Sequence, residues 1–151
     1  MGHTDTELMR EALFEARAAA AAGEVSIGAV AVIGGEIVGR GQNRVLRDID
    51  PTAHAEIVAM RAAARAVDNY RLLECELFVT LEPCAMCAGA MIHARLKRLV
   101  YGAKDPKAGA AGSVLEVLNH PRLNHQMEVT GGVLENECGE LLREFFRERR
   151  S

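Results

Sequence analysis

The stretch "CELFVTLEPCAMCAGAMIHARLKRLVYG", Cys75 to Gly102, constrains the fold of this chain more than any other. "CELFVTL" is an almost wholly apolar run, the pattern of a strand covered on both faces. Pro83 then starts a helix, since proline is well tolerated in a first turn. "RLVYG" is a second buried strand. Strands covered on both faces need helical layers, and the rest of the chain supplies them. Thr4 and Glu7 form a capping-box pattern, and Leu8, Met9, Ala12, Leu13, Ala16 and Ala20 recur at helical spacing until Gly23. "SIGAVAVI" and "EIVGRGQN" flank Gly34-Gly35 as a β-hairpin with a glycine turn. Pro51 and Thr52 open a helix through "HAEIVAMRAAARAV", with Thr52 as its N-cap. "KDPKAGAAG" reads as a loop, "SVLEVLN" as a short helix, and "QMEVTGGVL" holds a last strand. A closing helix carries Leu134, Cys138, Leu141, Leu142, Phe145 and Phe146 on one stripe. This order predicts a mixed α/β sheet between helical layers. In such folds ligands sit at the carboxyl ends of strands, beside helix N-termini.

The chain has 151 residues, enough for one compact domain with a real core and too few for two comfortable ones. Aromatics make up only 4% and Trp is absent, so alanine and aliphatic packing must build most of that core. A net charge of −3 argues against a generally basic nucleic-acid binder but leaves room for a local basic patch. No segment approaches the roughly 20 apolar residues of a membrane span. The charged N-terminus has no signal-peptide core, and its match to a myristoylation pattern at Gly2 and Thr6 lacks a polybasic companion and reads as chance. The expectation is a cytoplasmic protein. There disulfides are rare, and a CxxC leans toward metal or redox chemistry.

Cys84 and Cys87 stand at i and i+3, so both sulfurs share one face of a first helical turn. Two thiolates so placed suit one tetrahedral zinc, and a helix N-terminus favours the thiolate form. A redox pair would use the same effect, but here Pro83 precedes the first Cys and a thioredoxin-like context is missing. Among the five histidines, His54 is singled out by its place at the start of the other buried helix. His54, Cys84 and Cys87 would leave a fourth position open for water, which is the arrangement of a catalytic zinc. Glu56 supplies a base. Residues two apart do not share a face of a regular helix. His54 must therefore sit in the turn that opens the helix, or the Glu56 side chain must curl back. Cys75 and Cys138 fall on apolar runs and read as core thiols.

"HAE" followed by "PCAMC" is the signature of the zinc-dependent nucleoside and nucleobase deaminases. "DPTAHAEIVAMR", "YRLLECELFVTLEPCAMCAGAMIHARL" and "VYGAKDPKAGAAGS", with Asn124-His125 and the terminal "FFRERR", resemble the branch of that family that acts on transfer RNA. The resemblance implies a three-layer α/β/α, cytidine-deaminase-like fold with a mixed five-stranded sheet. It implies one Zn2+ per subunit on His54, Cys84 and Cys87, with hydrolytic attack at C6 of the wobble adenosine of an arginine tRNA. Glu56 would take the water proton and deliver protons to the ring and the departing ammonia. Backbone amides near Ala55 and Cys84 would line the reaction centre. Asn43 would contact the nucleoside, and Asp105 would belong to a loop touching its neighbours in the anticodon stem-loop. Arg143, Arg147, Arg149 and Arg150 would meet phosphates, and a homodimer would combine such local patches. Two positions depart from the family pattern: Ser26 replaces a proline in "EVSIGAV", and Gln42 stands where Trp or His is common.

Two other readings remain at this level. The same chemistry could serve a free base or nucleoside, although those relatives do not usually carry the "KDPKAGAAGS" loop. A zinc-stabilised binding module would need a fourth protein ligand, and no second cysteine pair stands at suitable spacing.

Overall fold

β1 (Gly28–Ile33) and β2 (Glu36–Gln42) form the antiparallel hairpin, with Gly34 at φ 60° and Gly35 at φ 80°. Two consecutive positive φ values are what a tight two-residue hairpin turn demands, and glycine meets them without strain. The hairpin is the edge of a five-stranded sheet of order β2-β1-β3-β4-β5. β3 (Cys75–Leu81) lies antiparallel to β1, while β4 (Arg98–Ala103) and the short β5 (Glu128–Thr130) continue parallel to β3. The sheet is therefore mixed, as the element order predicts. The computed structural model describes residues 3–150, and of Arg150 the backbone alone. Gly2 of the myristoylation match lies outside them.

Alternation along the strands sorts side chains into two cores. Ala29, Ala31, Leu77, Val79, Leu99 and Tyr101 face α2 (Ala55–Val67) and α3 (Ala85–Ala94). Val30, Val32, Phe78 and Val100 face α1 (Asp5–Ala21) and, through Cys138, α4 (Glu135–Arg150). This is a three-layer α/β/α sandwich. On the hairpin the positions that face α2 are small (Ala29, Ala31, Gly39 and Gly41), and α2 packs against it with almost no gap. A Cβ at Gly41 would lie 2.5 Å from Ala59 N, and one at Gly39 would lie 2.7 Å from Ala63 N. Only glycine permits that approach.

Three expectations need correction. The N-cap of α2 is His54, because the Thr52 hydroxyl and N–H both bond Asp50 Oδ1, at 2.8 and 2.9 Å. Helix α3 begins after Cys84, its N-cap, so Pro83 lies outside the helix. "SVLEVLN" is not helical: Ala111 pairs with Glu116 as an isolated bridge, and Val114 and Leu115 both donate N–H groups to Gly109 O. The Val117 N–H, which a helix would send to Ser113 O, goes to Ala110 O at 3.0 Å, so no helical ladder forms. Leu134 sits just before α4 at φ 54°. Of the expected stripe on α4, Cys138 and Phe145 are buried and Phe146 is exposed.

Candidate active site and metal centre

β2, β3 and β4 run in one direction, so Asn43, Cys84 and Asp105 all emerge at the same end of the sheet. The first turns of α2 and α3 meet there. His54 (φ −74°, ψ 156°) and Cys84 (φ −77°, ψ 175°) are both extended N-caps whose side chains make no capping bond. Those side chains face one another instead. His54 Nδ1 lies 3.7 Å from Cys84 Sγ and 3.5 Å from Cys87 Sγ. The three donor atoms all fall within 4.8 Å of one another, and no other group of this kind occurs among the described residues. Tetrahedral zinc, with bonds of about 2.3 Å to sulfur and about 2.05 Å to nitrogen, would set N···S separations near about 3.6 Å. The spacing and the donor set fit that ion.

The three donors also perturb one another's protonation. The Cys84 thiol is pushed down to about 3, first by the hydrogen bond from Cys87 and then by that from His54. Cys87 is pushed far up by the same contact and by its burial. His54 is raised, chiefly by its bond with Cys84. Glu56 stands two residues into α2's sequence from His54 and is 4% exposed. Because His54 precedes the helix proper, the H-x-E spacing poses no geometric conflict: Glu56 lies among His54, Cys84 and Cys87. Burial raises its carboxyl to about 7. A group with that affinity can accept a proton at one step and return it at another near neutral pH.

Asn43 is buried, and its Oδ1 accepts the Ala55 N–H at 2.9 Å. The Ala55 amide, expected at the reaction centre, is thus already engaged. Asp105 Oδ1 accepts the N–H groups of Lys107 and Ala108 at 3.0 and 3.2 Å, which makes it a cap of its own loop. A groove of about 550 Å³ between that loop and α4 is bounded by Ile27, Leu81, Asp105, Lys107, Leu142 and Phe146. On α4, Arg143 and Arg147 share Glu140 at 3.0 and 2.8 Å, and the Arg149 guanidinium sits 4.3 Å over the Phe145 ring. Arg150 ends the helix.

Glu24 and Glu82 are buried carboxylates that the sequence did not single out. Glu24, 1% exposed, accepts the N–H groups of Leu46 and Arg47 and the Arg47 Nε, and Arg47 in turn reaches the Asn43 carbonyl. Glu82, 2% exposed, holds the 105–113 loop. The signal for Glu82 was present: a lone charge between an apolar strand and a proline must find partners if it is buried. The two departures are also located. Ser26 is buried and its Oγ–H donates to Leu141 O on α4 at 3.3 Å, and Gln42 is held between Glu15 and Arg47.

A three-layer sandwich that presents a His/Cys/Cys group beside a buried glutamate defines a hydrolytic deaminase acting on a C–N bond. A family profile for MafB19-like deaminases matches residues 3–150. A tRNA-specific adenosine deaminase of Haemophilus influenzae is 51% identical over 147 residues, covering 97% of this chain and 85% of that protein. A solved structure from work on A-to-I editing by tRNA:A34 deaminases at the wobble position superposes with a TM-score of 0.88. It is 46% identical and covers 91% of this chain and 99% of its own. A guanine deaminase of Nitrosomonas europaea follows at TM-score 0.83 and 27% identity, covering 96% of this chain and 85% of its own. This chain belongs to the family of tRNA-specific adenosine deaminases.

Proposed function

We propose that this chain converts the wobble adenosine of an arginine tRNA to inosine, with one Zn2+ per subunit held by His54, Cys84 and Cys87. The convergence of those three donors beside the buried Glu56 carries the reading. When bound, zinc acts as a Lewis acid and makes water a usable nucleophile near neutral pH. The reaction consumes one water, forms a C6–O bond, breaks the C6–N bond and releases ammonia. Glu56 receives the water's proton and passes protons to the ring nitrogen and the departing amine, a double role that suits a carboxyl near 7. Asn43, fixed by Ala55, presents its remaining amide hydrogens to the nucleoside. The Asp105 loop meets the flanking nucleotides, and Arg143, Arg147 and Arg149 on α4 meet phosphates of the stem. The same reading makes residues 1–151 a single domain that works in the cytoplasm as a homodimer.

The test is incubation with an arginine tRNA bearing wobble adenosine, followed by inosine detection. Glu56→Ala should keep the metal and lose turnover; loss of the metal, or retained turnover, refutes the assignment. Likeness to the guanine deaminase supports one other reading, in which a free base is the substrate. Guanine turnover without inosine formation in tRNA would establish it.

A further inference from the structure

Glu82 is the residue between β3 and the metal-facing turn, two positions before Cys84. Its side chain crosses to the 105–113 loop. Oε1 accepts the Asp105 N–H at 3.0 Å and the Ser113 hydroxyl. Oε2 accepts the N–H groups of Ala111 and Ser113 at 2.9 and 3.1 Å. A carboxylate offers about four lone-pair sites, and all four are filled. Glu82 therefore has no acceptor capacity left for substrate or water. The packing around it is equally closed: a Cβ at Gly109 would stand 2.5 Å from Oε2. Backbone bonds complete the junction, with Ala110 N–H on Pro83 O and Glu82 N–H on Ala103 O, each at 2.8 Å.

We propose that Glu82 is a positioning residue for the deamination: it locks the loop that bears Asp105 against the turn that bears Cys84. The two halves of the site, one for chemistry and one for the flanking nucleotides, are then held at a fixed separation. Charge-assisted bonds to backbone N–H groups are the strong kind, and they order an otherwise irregular segment without a helix or strand. A glutamine cannot fully replace the carboxylate, because in either orientation its NH2 would face at least one of the three N–H donors. The proposal rests on the reading of the Asp105 loop as an RNA contact.

The test uses the zinc-loaded enzyme and an arginine tRNA anticodon stem-loop bearing wobble adenosine. Glu82→Gln should raise KM about tenfold while kcat falls less than about threefold, the pattern of lost substrate positioning rather than lost chemistry. Metal content should stay unchanged, and hydrogen exchange at the Ala111 and Ser113 amides should accelerate. Ser113→Ala, which removes one of the four donors, should raise KM by about two- to threefold and guards against a Gln variant that fails to fold. Asp105→Ala should raise KM by itself. Faster loop exchange in Glu82→Gln with unchanged KM, while Asp105→Ala raises KM, overturns the positioning role. Unchanged KM in both variants overturns the reading of the loop as an RNA contact, and the proposal with it. A fall in kcat and metal content at constant KM assigns Glu82 to the metal turn alone and refutes the proposal.

Discussion

Gly41→Ala tests whether the closeness of α2 to the hairpin is what places His54 and Glu56. The new Cβ would stand 2.5 Å from Ala59 N, and nearer still to the Ala55 carbonyl oxygen. Ordinary contact begins near 3.4 Å, and both obstructing groups are backbone. No rotamer change relieves this clash, so the first turns of α2 must retreat by roughly 1 Å. Overpacking of this kind costs about 1–3 kcal/mol. Against it stands the reduced freedom of the unfolded chain, about 0.4–1 kcal/mol, because Gly41 has no positive φ and alanine fits its backbone. The clash wins by about 1–2 kcal/mol, which lowers Tm by about 2–8 °C for a chain of this size. Activity should suffer more, since a displacement of about 1 Å at a catalytic group can cost on the order of a hundredfold. Gly39→Ala is the internal control: it meets Ala59 and Ala63, one turn further from the His54 end of α2. It should show a similar Tm loss with less than about a tenfold fall in kcat, because a push at the far turns tilts the helix more than it shifts its start. Thermal unfolding and single-turnover deamination measure the two effects. A Gly41→Ala enzyme with wild-type Tm and kcat would refute the argument, as would equal kcat losses in the two variants.

Other parts of the molecule yield further tests. Arg98 binds Asp5 at 2.7 Å and Glu76 at 2.9 Å, while its Nε faces Glu128 at 3.2 Å without an aligned hydrogen bond, so it ties α1 to three strands. Arg98→Met should destabilise the fold by about 2 kcal/mol in urea unfolding, because three carboxylates lose their shared cation. Glu24 should impose an acid limit on stability. Burial opposes its charged form, but bonds from Arg47 and Leu46 outweigh it and hold the carboxyl below its usual 4.5. Its contribution is complete above that value and is lost as pH falls through the lower folded pKa; Glu24→Gln should flatten urea-unfolding stability across that acid range. Removal of the metal with a chelator should lower Tm, and added zinc should restore it by mass action; an unchanged melting curve would refute a metal role for His54, Cys84 and Cys87.

Much of the fold was legible because period and punctuation agreed. The hairpin announced itself through Gly34-Gly35, and β3 through an unbroken apolar run, and both occur as read. The meeting of His54, Cys84 and Cys87 was legible because two spaced motifs each opened a helix. What failed were local choices settled by distant partners. Thr52 is a good N-cap by type, but Asp50 captures its hydroxyl and leaves His54 to start the helix. "SVLEVLN" has helical composition, yet Ala110 captures the Val117 N–H that a helix would send to Ser113. Asp105 and the arginines of α4 stood out as charges, but their bonds to Lys107, Ala108 and Glu140 exist only once the chain is folded.

The helix starts show how function is fitted into this scaffold. α1, which takes no part in the chemistry, has a complete capping box at Thr4 and Glu7. α2 and α3 begin at His54 and Cys84, whose side chains leave the helix ends uncapped. A good N-cap is worth about 1 kcal/mol, so each helix gives up stability to aim a donor atom across the cleft. At α2 part of that loss is restored from outside, because Asn43, just past the end of the neighbouring strand, accepts the N–H of Ala55, one of the four amides that the first turn leaves unpaired. Asn43 thereby has a structural duty besides the nucleoside contact proposed for it. Its oxygen orders the turn that carries His54, and only its amide hydrogens remain for the substrate. Asn43→Asp keeps the acceptor and removes those hydrogens, whereas Asn43→Ala removes both. The aspartate variant should therefore retain Tm and metal while losing substrate affinity, and the alanine variant should lose about 1–2 kcal/mol of stability as well. Equal stability in the two variants would show that the Ala55 amide needs no partner from Asn43.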